Sequence, residues 1–356
     1  MIRRRTVFLL GAATLAATAA AVVAVIDRTA ETRSEVEAER LFPDLQERAA
    51  EVQQVRIARA EGAETGTVTL LRTENGWILE ERDRYPARTD LVRKLLFDLG
   101  QLELIERKTA DPTRLDRLDL ADLAQKGSQA SRVAVTTAAG NTVADLFIGK
   151  KRESLTGGKP MVYVRRGGEN QSYLAEGELD LRGGPVEWLV QEVVNIPKET
   201  IVAAELTSAS GGILRLERDG KDFRIAGLPE GRKIGSQYSV NNAATLIERL
   251  LFDDVRSAAG LDFDGGPGGA VYTTGDGLTV SLDLADAPDG DTVGADGASP
   301  WIRVEVAIAE DAGEEARRRG EAARAQTEGW AYRLSSYNLE RLQATMESLT
   351  KPAEGS

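Results

Sequence analysis

Apolar and polar positions alternate along most of the chain, in short segments separated by turns rich in Gly, Asn and Asp. Alternation with a period of two is typical of strands with one buried face. Asn75-Gly76 between two such segments indicates a tight hairpin. The pattern predicts strands at 55–57, 67–71, 77–79, 132–136, 142–148, 161–165, 172–174, 201–206, 213–217, 222–225, 270–273, 279–284, 301–309 and 330–334.

A helical period appears in fewer places. Val92, Leu95, Leu96 and Leu99 fall on one face of a helix that begins near Thr89. The same reasoning predicts helices from 112 to 123, from 188 to 193, from 246 to 255 and from 339 to 349. Residues 310–328 are charged and helix-prone with little apolar face, which indicates a solvated insertion.

Leu95-Leu96-Phe97-Asp98 recurs as Leu250-Leu251-Phe252-Asp253, each time after a predicted hairpin, which indicates an internal duplication. The predicted fold class is α+β: an N-terminal transmembrane helix, then two duplicated modules of largely antiparallel sheet with helices on one face. The predicted regions are a membrane anchor (1–28), a juxtamembrane helical stalk (29–51), a first α+β module (52–197), a second α+β module (198–350) and a disordered tail (351–356).

The first 26 residues predict a membrane address. Arg3, Arg4 and Arg5 precede twenty uncharged residues, Val7–Ile26, and a helix of that length spans about 30 Å, the thickness of the hydrocarbon core. Basic residues stay in the cytoplasm, so the C-terminal domain is expected in the periplasm, behind a single-pass inner-membrane helix. A cleaved signal peptide is the alternative. The predicted anchor residues are Val7, Phe8, Leu9, Leu10, Leu15, Val22, Val23, Val25 and Ile26.

Composition excludes several kinds of chemistry. The chain has no Cys and no His, so disulfides, thiol nucleophiles, zinc–thiolate sites and Ser-His-Asp triads are excluded. The net charge of −12 opposes binding to a phosphate backbone, so no nucleic-acid partner is expected. We expect no catalytic residue, no cofactor and no metal site.

The motifs that could contradict this expectation are weak. Ser348-Leu349-Thr350-Lys351 matches a Ser-x-x-Lys pattern, but it stands near the end of the chain without the other motifs of that enzyme class. The acidic groups at 262–265 and 286–296 lack the ligand spacing of a calcium loop. Asp98, Asp253 and Asp254 could form a carboxylate pair of the glycosidase type, but their positions favour a structural role at helix ends. The four tryptophans, Trp77, Trp188, Trp301 and Trp330, are scattered along the chain, which favours core or partly exposed packing over a ligand site.

Several short motifs together resemble a bacterial family, the domain of unknown function 4340. They are Leu41-Phe42-Pro43, Gly76-Trp77, Tyr85-Pro86-Ala87 before Leu91–Leu99, Leu118-Asp119-Leu120, Phe147-Ile148-Gly149-Lys150, Val162–Arg165 with Ser172-Tyr173-Leu174, and Trp188. The resemblance implies one N-terminal anchor, an extracytoplasmic α+β repeat region and an association with transport systems related to gliding-motility auxiliary ABC transporters. It implies no catalytic residues.

The sequence therefore favours a non-catalytic accessory protein of an ABC-type, gliding-motility-like transport complex. Its expected partners are inner-membrane permease or auxiliary subunits, and the lipid bilayer through the N-terminal helix. Two alternatives stay open: a periplasmic module that binds a small ligand or a glycan, and a carboxylate-dependent hydrolase of envelope polysaccharide.

Overall fold

A computed structural model describes residues 35–59, 66–152, 159–263, 266, 268–285 and 300–353. The predicted anchor and its flanking arginines, residues 3–26, lie outside the described residues. Across the part of the chain that is described, no helix is both long and apolar enough to cross a membrane.

Strands hold 41% of the described residues, and helices of all kinds hold 24%. The strands of the first half are β1 (Glu35–Arg40), β2 (Val52–Arg59), β3 (Val68–Thr73), β4 (Gly76–Leu79), β5 (Tyr85–Ala87), β6 (Glu103–Arg107), β7 (Ser131–Thr137), β8 (Thr142–Arg152), β9 (Met161–Arg166), β10 (Ser172–Glu176) and β11 (Glu192–Val194). Those of the second half are β12 (Ile201–Thr207), β13 (Ile213–Asp219), β14 (Asp222–Ile225), β15 (Arg232–Ile234), β16 (Leu250–Leu251), β17 (Asp254–Ser257), β18 (Gly269–Thr274), β19 (Leu278–Ala285), β20 (Trp301–Ile308), β21 (Trp330–Arg333) and β22 (Thr350–Pro352).

Five α-helices are described, and most are short. They are α1 (Thr89–Gly100), α2 (Gln237–Ala244), α3 (Glu314–Thr327), α4 (Ser336–Leu342) and α5 (Met346–Leu349). The 3₁₀ helices are Pro43–Leu45, Ala49–Glu51, Glu80–Arg82, Pro112–Leu118, Pro185–Trp188 and Leu246–Arg249.

The predicted α+β class is wrong, because the described chain is mainly antiparallel β-sheet and three of the predicted helices are not α-helices. The segment from 112 is a 3₁₀ helix, and the segment from 188 ends a 3₁₀ helix and continues into β11. Residues Glu35–Arg40 form a strand paired with β6, within the stretch predicted as a helical stalk. Strands β1 and β11 owe their conformation to strand partners distant in sequence, β6 and β16, which local periodicity does not report.

The chain forms two compact units. The first contains the described residues up to Trp77 together with Thr89–Gly184, and the second contains Ile78–Arg88 together with the described residues from Pro185 onward. One sheet has ten strands in the order β1-β6-β10-β9-β8-β7-β2-β3-β4-β5, and another has eight in the order β14-β13-β12-β18-β19-β20-β21-β17. Two-stranded ribbons pair β11 with β16 and β15 with β22.

The two large sheets share one strand order. The run β6-β10-β9-β8-β7-β2-β3-β4 corresponds, strand for strand along the chain, to β17-β21-β20-β19-β18-β12-β13-β14. In the ten-stranded sheet, β2 lies between β3 and β7 and is antiparallel to both. In the eight-stranded sheet, β12 lies between β13 and β18 and is antiparallel to both. Helix α1 precedes β6 in the chain, and α2 precedes β17 at the corresponding place.

The repeated Leu-Leu-Phe-Asp tetrapeptide does not occupy corresponding elements. Leu95–Asp98 lies inside α1, whereas Leu250-Leu251 forms β16 and pairs with β11. Helix α2 ends at Ala244, where the N–H of Thr245 donates to the carbonyls of Asn241 and Asn242. The predicted helix at 246–255 is therefore wrong, and the tetrapeptide is not evidence of duplication.

Helix α3 differs from the predicted solvated insertion, because it packs on β20 and β19 through small residues. Ala316, Gly320 and Ala323 are buried on one face. An added Cβ at Gly320 would lie 2.8 Å from side-chain atoms of Ile308 and Leu278, so glycine permits the close approach. The hydropathy pattern does not reveal this buried face, because its residues are small rather than strongly apolar.

Side chains cover both edges of the eight-stranded sheet. At β14, the N–H of Phe223 donates to Oδ1 of Asn241 over 2.9 Å, and Gln237 Nε2 donates to the Phe223 carbonyl over 2.7 Å. At β17, the N–H of Ser257 donates to Asp83 Oδ2 over 2.7 Å. Satisfied edge groups oppose pairing with another chain.

Candidate functional site

Three short helices of the second unit, α2, α4 and α5, each begin with a side-chain cap. Ser236 accepts from the N–H of Ser239 over 3.3 Å, and Ser335 accepts from the N–H of Asn338 over 3.3 Å. At α5, Thr345 and Ser348 form a reciprocal capping box. The caps fix where each helix starts and therefore which residues stand in its first turn.

These helices enclose an open cleft of about 510 Å³, which we name the tyrosine cleft. The volume is in the range of small-ligand sites. Its lining includes the polar side chains of Tyr238, Asn242, Tyr337, Glu340, Arg341 and Ser348.

Two tyrosine side chains of this cleft are exposed. Tyr238 is 70% exposed and Tyr337 is 53% exposed, unusually high values for large aromatic residues. Their hydroxyls are hydrogen-bonded to each other, and Asn242 Nδ2 donates to the Tyr337 hydroxyl over 3.1 Å. Hydrogen bonds from Asn242 and Tyr337 lower the pKa of Tyr238, whereas the bond to Tyr238 raises the pKa of Tyr337. Asn242 thus holds the Tyr337 hydroxyl, and the Tyr238 hydroxyl lies beside it.

Arg341 is held in place beside them. Its Nε and Nη2 donate to the Asn242 carbonyl over 3.1 and 2.8 Å, and its Nη1 donates to Asn338 Oδ1 over 3.1 Å. The guanidinium carbon lies 5.5 Å from the centroid of the Tyr337 ring, within cation–π range. A ligand therefore meets a preorganised group of two aromatic rings, an amide and a cation.

Glu340 and Ser348 also lie in this cleft. Among the described residues that line it, Glu340 is the one carboxylate. The Ser348 hydroxyl accepts from the N–H of Thr345 over 2.9 Å and donates to the Thr345 carbonyl over 3.1 Å. Ser348 of the Ser-x-x-Lys motif thus caps a helix, and Lys351 lies in β22 opposite Lys233.

The carboxylates considered from the sequence lie elsewhere. Asp98 is near the end of α1, but the helix-end position predicted for Asp253 is wrong, because Asp253 lies between strands β16 and β17. Asp98 pairs with Lys94 over 2.6 Å, one turn away on α1, and Asp254 pairs with Arg82 over 2.5 Å. Partial burial, and then the neighbouring Asp254, raise the pKa of Asp253. Within the described ranges, no group of three or more Asp and Glu side chains is arranged to hold a metal ion.

The tryptophans pack inside the fold to different degrees. Trp77, Trp188 and Trp301 are buried, and Trp330 is half-buried with its ring 4.8 Å from that of Tyr85. Tyr85, from the Tyr-Pro-Ala motif, also packs edge-on to Phe252.

Two motifs quoted for the resemblance lie together in the first unit. An added Cβ at Gly149 would be 2.1 Å from the Leu118 carbonyl oxygen, so Phe147–Lys150 can lie against Leu118–Leu120 only with glycine there. Lys150 Nζ donates to the Arg117 carbonyl over 2.9 Å. Phe147 and Leu120 share a small apolar core. These motifs therefore act in packing.

The sequence analysis missed both tyrosines of the cleft. A local signal exists, since each stands two residues after the serine that caps its helix, in Ser236-Gln237-Tyr238 and Ser335-Ser336-Tyr337. A tyrosine in the first turn of a capped helix, among polar neighbours, is placed for exposure. Nothing local indicates that residues about 100 positions apart meet in one cleft, although Asn242 and Tyr337 are 95 apart.

This chain matches a known protein family. No curated protein matches it. The model of one family, described as "Domain of unknown function (DUF4340)", matches residues 77–263, more than half of the chain. The match includes α1 and α2 and stops before Tyr337 and Arg341. This confirms the resemblance seen in the sequence motifs, and the chain belongs to the DUF4340 family.

Proposed function

We propose that this protein is a non-catalytic accessory protein of an ABC-type, gliding-motility-like transport complex, and that it docks a partner subunit in the tyrosine cleft. The inner-membrane anchor is the segment Val7–Ile26, and the β-rich part faces the periplasm. The transport context comes from the family resemblance, and the docking site comes from the geometry of the cleft.

The observation that carries the proposal is the pair of exposed tyrosines beside an arginine that hydrogen bonds hold in place. Tyrosine and arginine are enriched among the residues that dominate binding energy at protein interfaces. Tyr337 and Arg341 are already restrained by hydrogen bonds to Asn242, so little side-chain entropy is lost on binding. The cleft is therefore suited to a polypeptide segment that buries the two rings.

The non-catalytic part of the proposal is supported by the cleft's chemistry. A glycosidase needs two carboxyl groups about 5 to 9.5 Å apart, and the described lining contains Glu340 alone. The Ser348 hydroxyl is committed to the cap of α5.

The experiment is an affinity pull-down of the full-length protein from crosslinked native membranes, with mass spectrometry of the recovered proteins. Wild type is compared with the double variant Tyr238→Ala/Tyr337→Ala. Ile213→Ala is the matched control, since Ile213 is a 50% exposed apolar residue of the same unit that does not line the cleft. We expect wild type and I213A to recover permease or auxiliary subunits and the double variant to lose them. Equal recovery with all three proteins would contradict the proposal.

A glycan-binding module is the second candidate. Exposed aromatic rings beside Asn242 and Glu340 also suit a sugar, whose apolar ring face stacks on tyrosine while its hydroxyls bond to amide and carboxylate groups. Binding of soluble envelope glycan that is lost in the tyrosine double variant, with no protein recovered in the pull-down, would favour this function.

A further inference from the structure

The first unit contains a cleft of its own, with a volume of about 760 Å³. One side comes from the hairpin that joins β3 and β4, one from helix α1, and one from residues 46–50 between the first two strands. We name it the arginine cleft, after Arg72 and Arg93 in its lining.

Arg72, the next-to-last residue of β3, is oriented by the backbone. Its Nη1 lies 2.9 Å from the Ala50 carbonyl, with the carbonyls of Ala49 and Val52 at 3.4 and 3.5 Å. Within the described structure, its Nε and Nη2 donate to no protein acceptor, and the residue is exposed. One end of the guanidinium is thus anchored and the other end keeps its donors for a ligand.

Helix α1 supplies the second arginine. Thr89, Arg93 and Phe97 follow each other at intervals of four, so they share one face of the helix, and all three line the cleft. Arg93 forms no ion pair or hydrogen bond with any described residue. Phe97 is 56% exposed, although the neighbouring Leu96 is buried. The helix therefore presents a cation and an apolar ring to the same space.

Charge in the cleft is unbalanced. Two arginines and one carboxylate, Glu74, line it, and Glu74 makes no ion pair among the described residues. The chain as a whole carries an excess of acidic groups instead, with a net charge of −12. Like charges that line one cavity repel each other, and a bound anion relieves this repulsion.

We propose that the arginine cleft binds an organic anion, a carboxylate, sulfonate or phosphate group on an apolar skeleton. Arg72 and Arg93 contact the anionic group, and Phe97 with Leu96 contacts the skeleton. Arginine suits this task because its planar fork of donors matches the oxygens of such groups. This site is separate from the tyrosine cleft and does not depend on the proposed function.

The test uses the full-length protein and the fluorescent aromatic sulfonate 1-anilinonaphthalene-8-sulfonate. Arg72→Gln and Arg93→Gln are each expected to raise its Kd about tenfold, the loss of one charge-assisted hydrogen bond. Phe97→Ala is expected to raise it severalfold. Arg318→Gln, which removes an exposed arginine of α3 outside the cleft, is the matched control and leaves Kd unchanged. Thermal unfolding checks that the variants are folded, as expected for exposed side chains.

Two further arms separate this site from general apolar binding. The neutral dye N-phenyl-1-naphthylamine is expected to bind at least tenfold more weakly, and decanoate, but not decanol, should displace the sulfonate. The double variant Tyr238→Ala/Tyr337→Ala should bind the dye as wild type does. Equal affinity for the neutral dye, or an unchanged Kd in both arginine variants, would overturn the proposal.

Discussion

Helices α1 and α2 hold the same place in two sheets of the same strand order, yet they present different chemistry. Each lines a cleft of its own unit, α1 with Arg93 and Phe97, and α2 with Tyr238 and Asn242. In both units the common strand order places a helix beside a cleft. The side chains on the exposed face of that helix determine which ligand the cleft can bind. The shared architecture therefore does not specify the function of either cleft.

The units also differ in what packs beside the strands. The first has a small satellite core around Leu120 and Phe147, and the second has helix α3 with its stripe of small residues. Both arrangements depend on a glycine where two elements approach closely, Gly149 in the first unit and Gly320 in the second. The atoms that an added Cβ would meet are different, since they are backbone atoms at Gly149 and side-chain atoms at Gly320.

The largest loss of stability is expected from a substitution at Gly149. Gly149→Ala places a Cβ 2.1 Å from the carbonyl oxygen of Leu118, and the backbone must move to relieve the overlap. We expect a loss of about 3 kcal/mol in the free energy of unfolding, measured by chemical denaturation of the full-length protein.

Two glycine variants serve as references. Gly320→Ala meets only side-chain atoms, at 2.8 Å, and gains about 1 kcal/mol of helix propensity, so its net loss should be about 1 kcal/mol or less. Gly184→Ala has no atom within 4 Å of the new Cβ and should be neutral. A loss of unfolding free energy in G149A as small as that in G184A would contradict the close packing of Phe147–Lys150 against Leu118–Leu120.

The next effect concerns Arg165, which is 3% exposed. It donates to the carbonyls of Leu120 and Glu169 and to Asp122, over 3.2, 2.8 and 2.7 Å, and stacks on Phe147. Arg165→Leu leaves those carbonyls without a donor, so we expect a loss of about 2 to 3 kcal/mol in unfolding free energy.

Asp122→Asn is the matched control, because the carboxylate is 74% exposed and its ion pair is screened. It should cost less than about 1 kcal/mol. Equal losses in the two variants would show that Arg165 acts through its ion pair rather than through the carbonyls.

The sequence predicted more of the fold than of the site. The strands from 132 to 174 and helix α1 were predicted, because their partners or apolar faces are local. The helix expected at 246–255 is wrong, since Leu250 and Leu251 pair with β11, more than fifty residues earlier. The tyrosine cleft could not be predicted, because Tyr238 and Tyr337 lie far apart in sequence and the hydropathy pattern treats both as ordinary surface residues.

A smaller effect tests the covered edge of the second unit. Asn241→Ala removes the acceptor of the Phe223 N–H and exposes strand β14. We expect a loss of about 1 kcal/mol in unfolding free energy and greater self-association, measured by denaturation and by sedimentation velocity. Asn195→Ala, at an exposed asparagine outside this edge, should change neither. Unchanged sedimentation of N241A would contradict the role of Asn241 in protecting the edge.

The smallest effect is a pH dependence at Asp253. Its pKa is raised from 3.8, so the folded state binds the proton more tightly than the unfolded state. The associated stability is present at acid pH and is lost as pH rises through the raised pKa. Asp253→Asn should therefore be slightly more stable than wild type at pH 7, and the gain should vanish in acid. A gain that is the same at both pH values would contradict this origin.

Docking of a partner subunit in the tyrosine cleft can be tested in the cell. The most direct test replaces Tyr337 with the photocrosslinking residue p-benzoylphenylalanine in the full-length protein and irradiates intact cells. We expect a crosslink from position 337 to a subunit of the membrane complex. We expect no crosslink when the same photocrosslinking residue replaces Ile213 as the control. No crosslinked protein at position 337, or the same crosslinked protein from both positions, would contradict it.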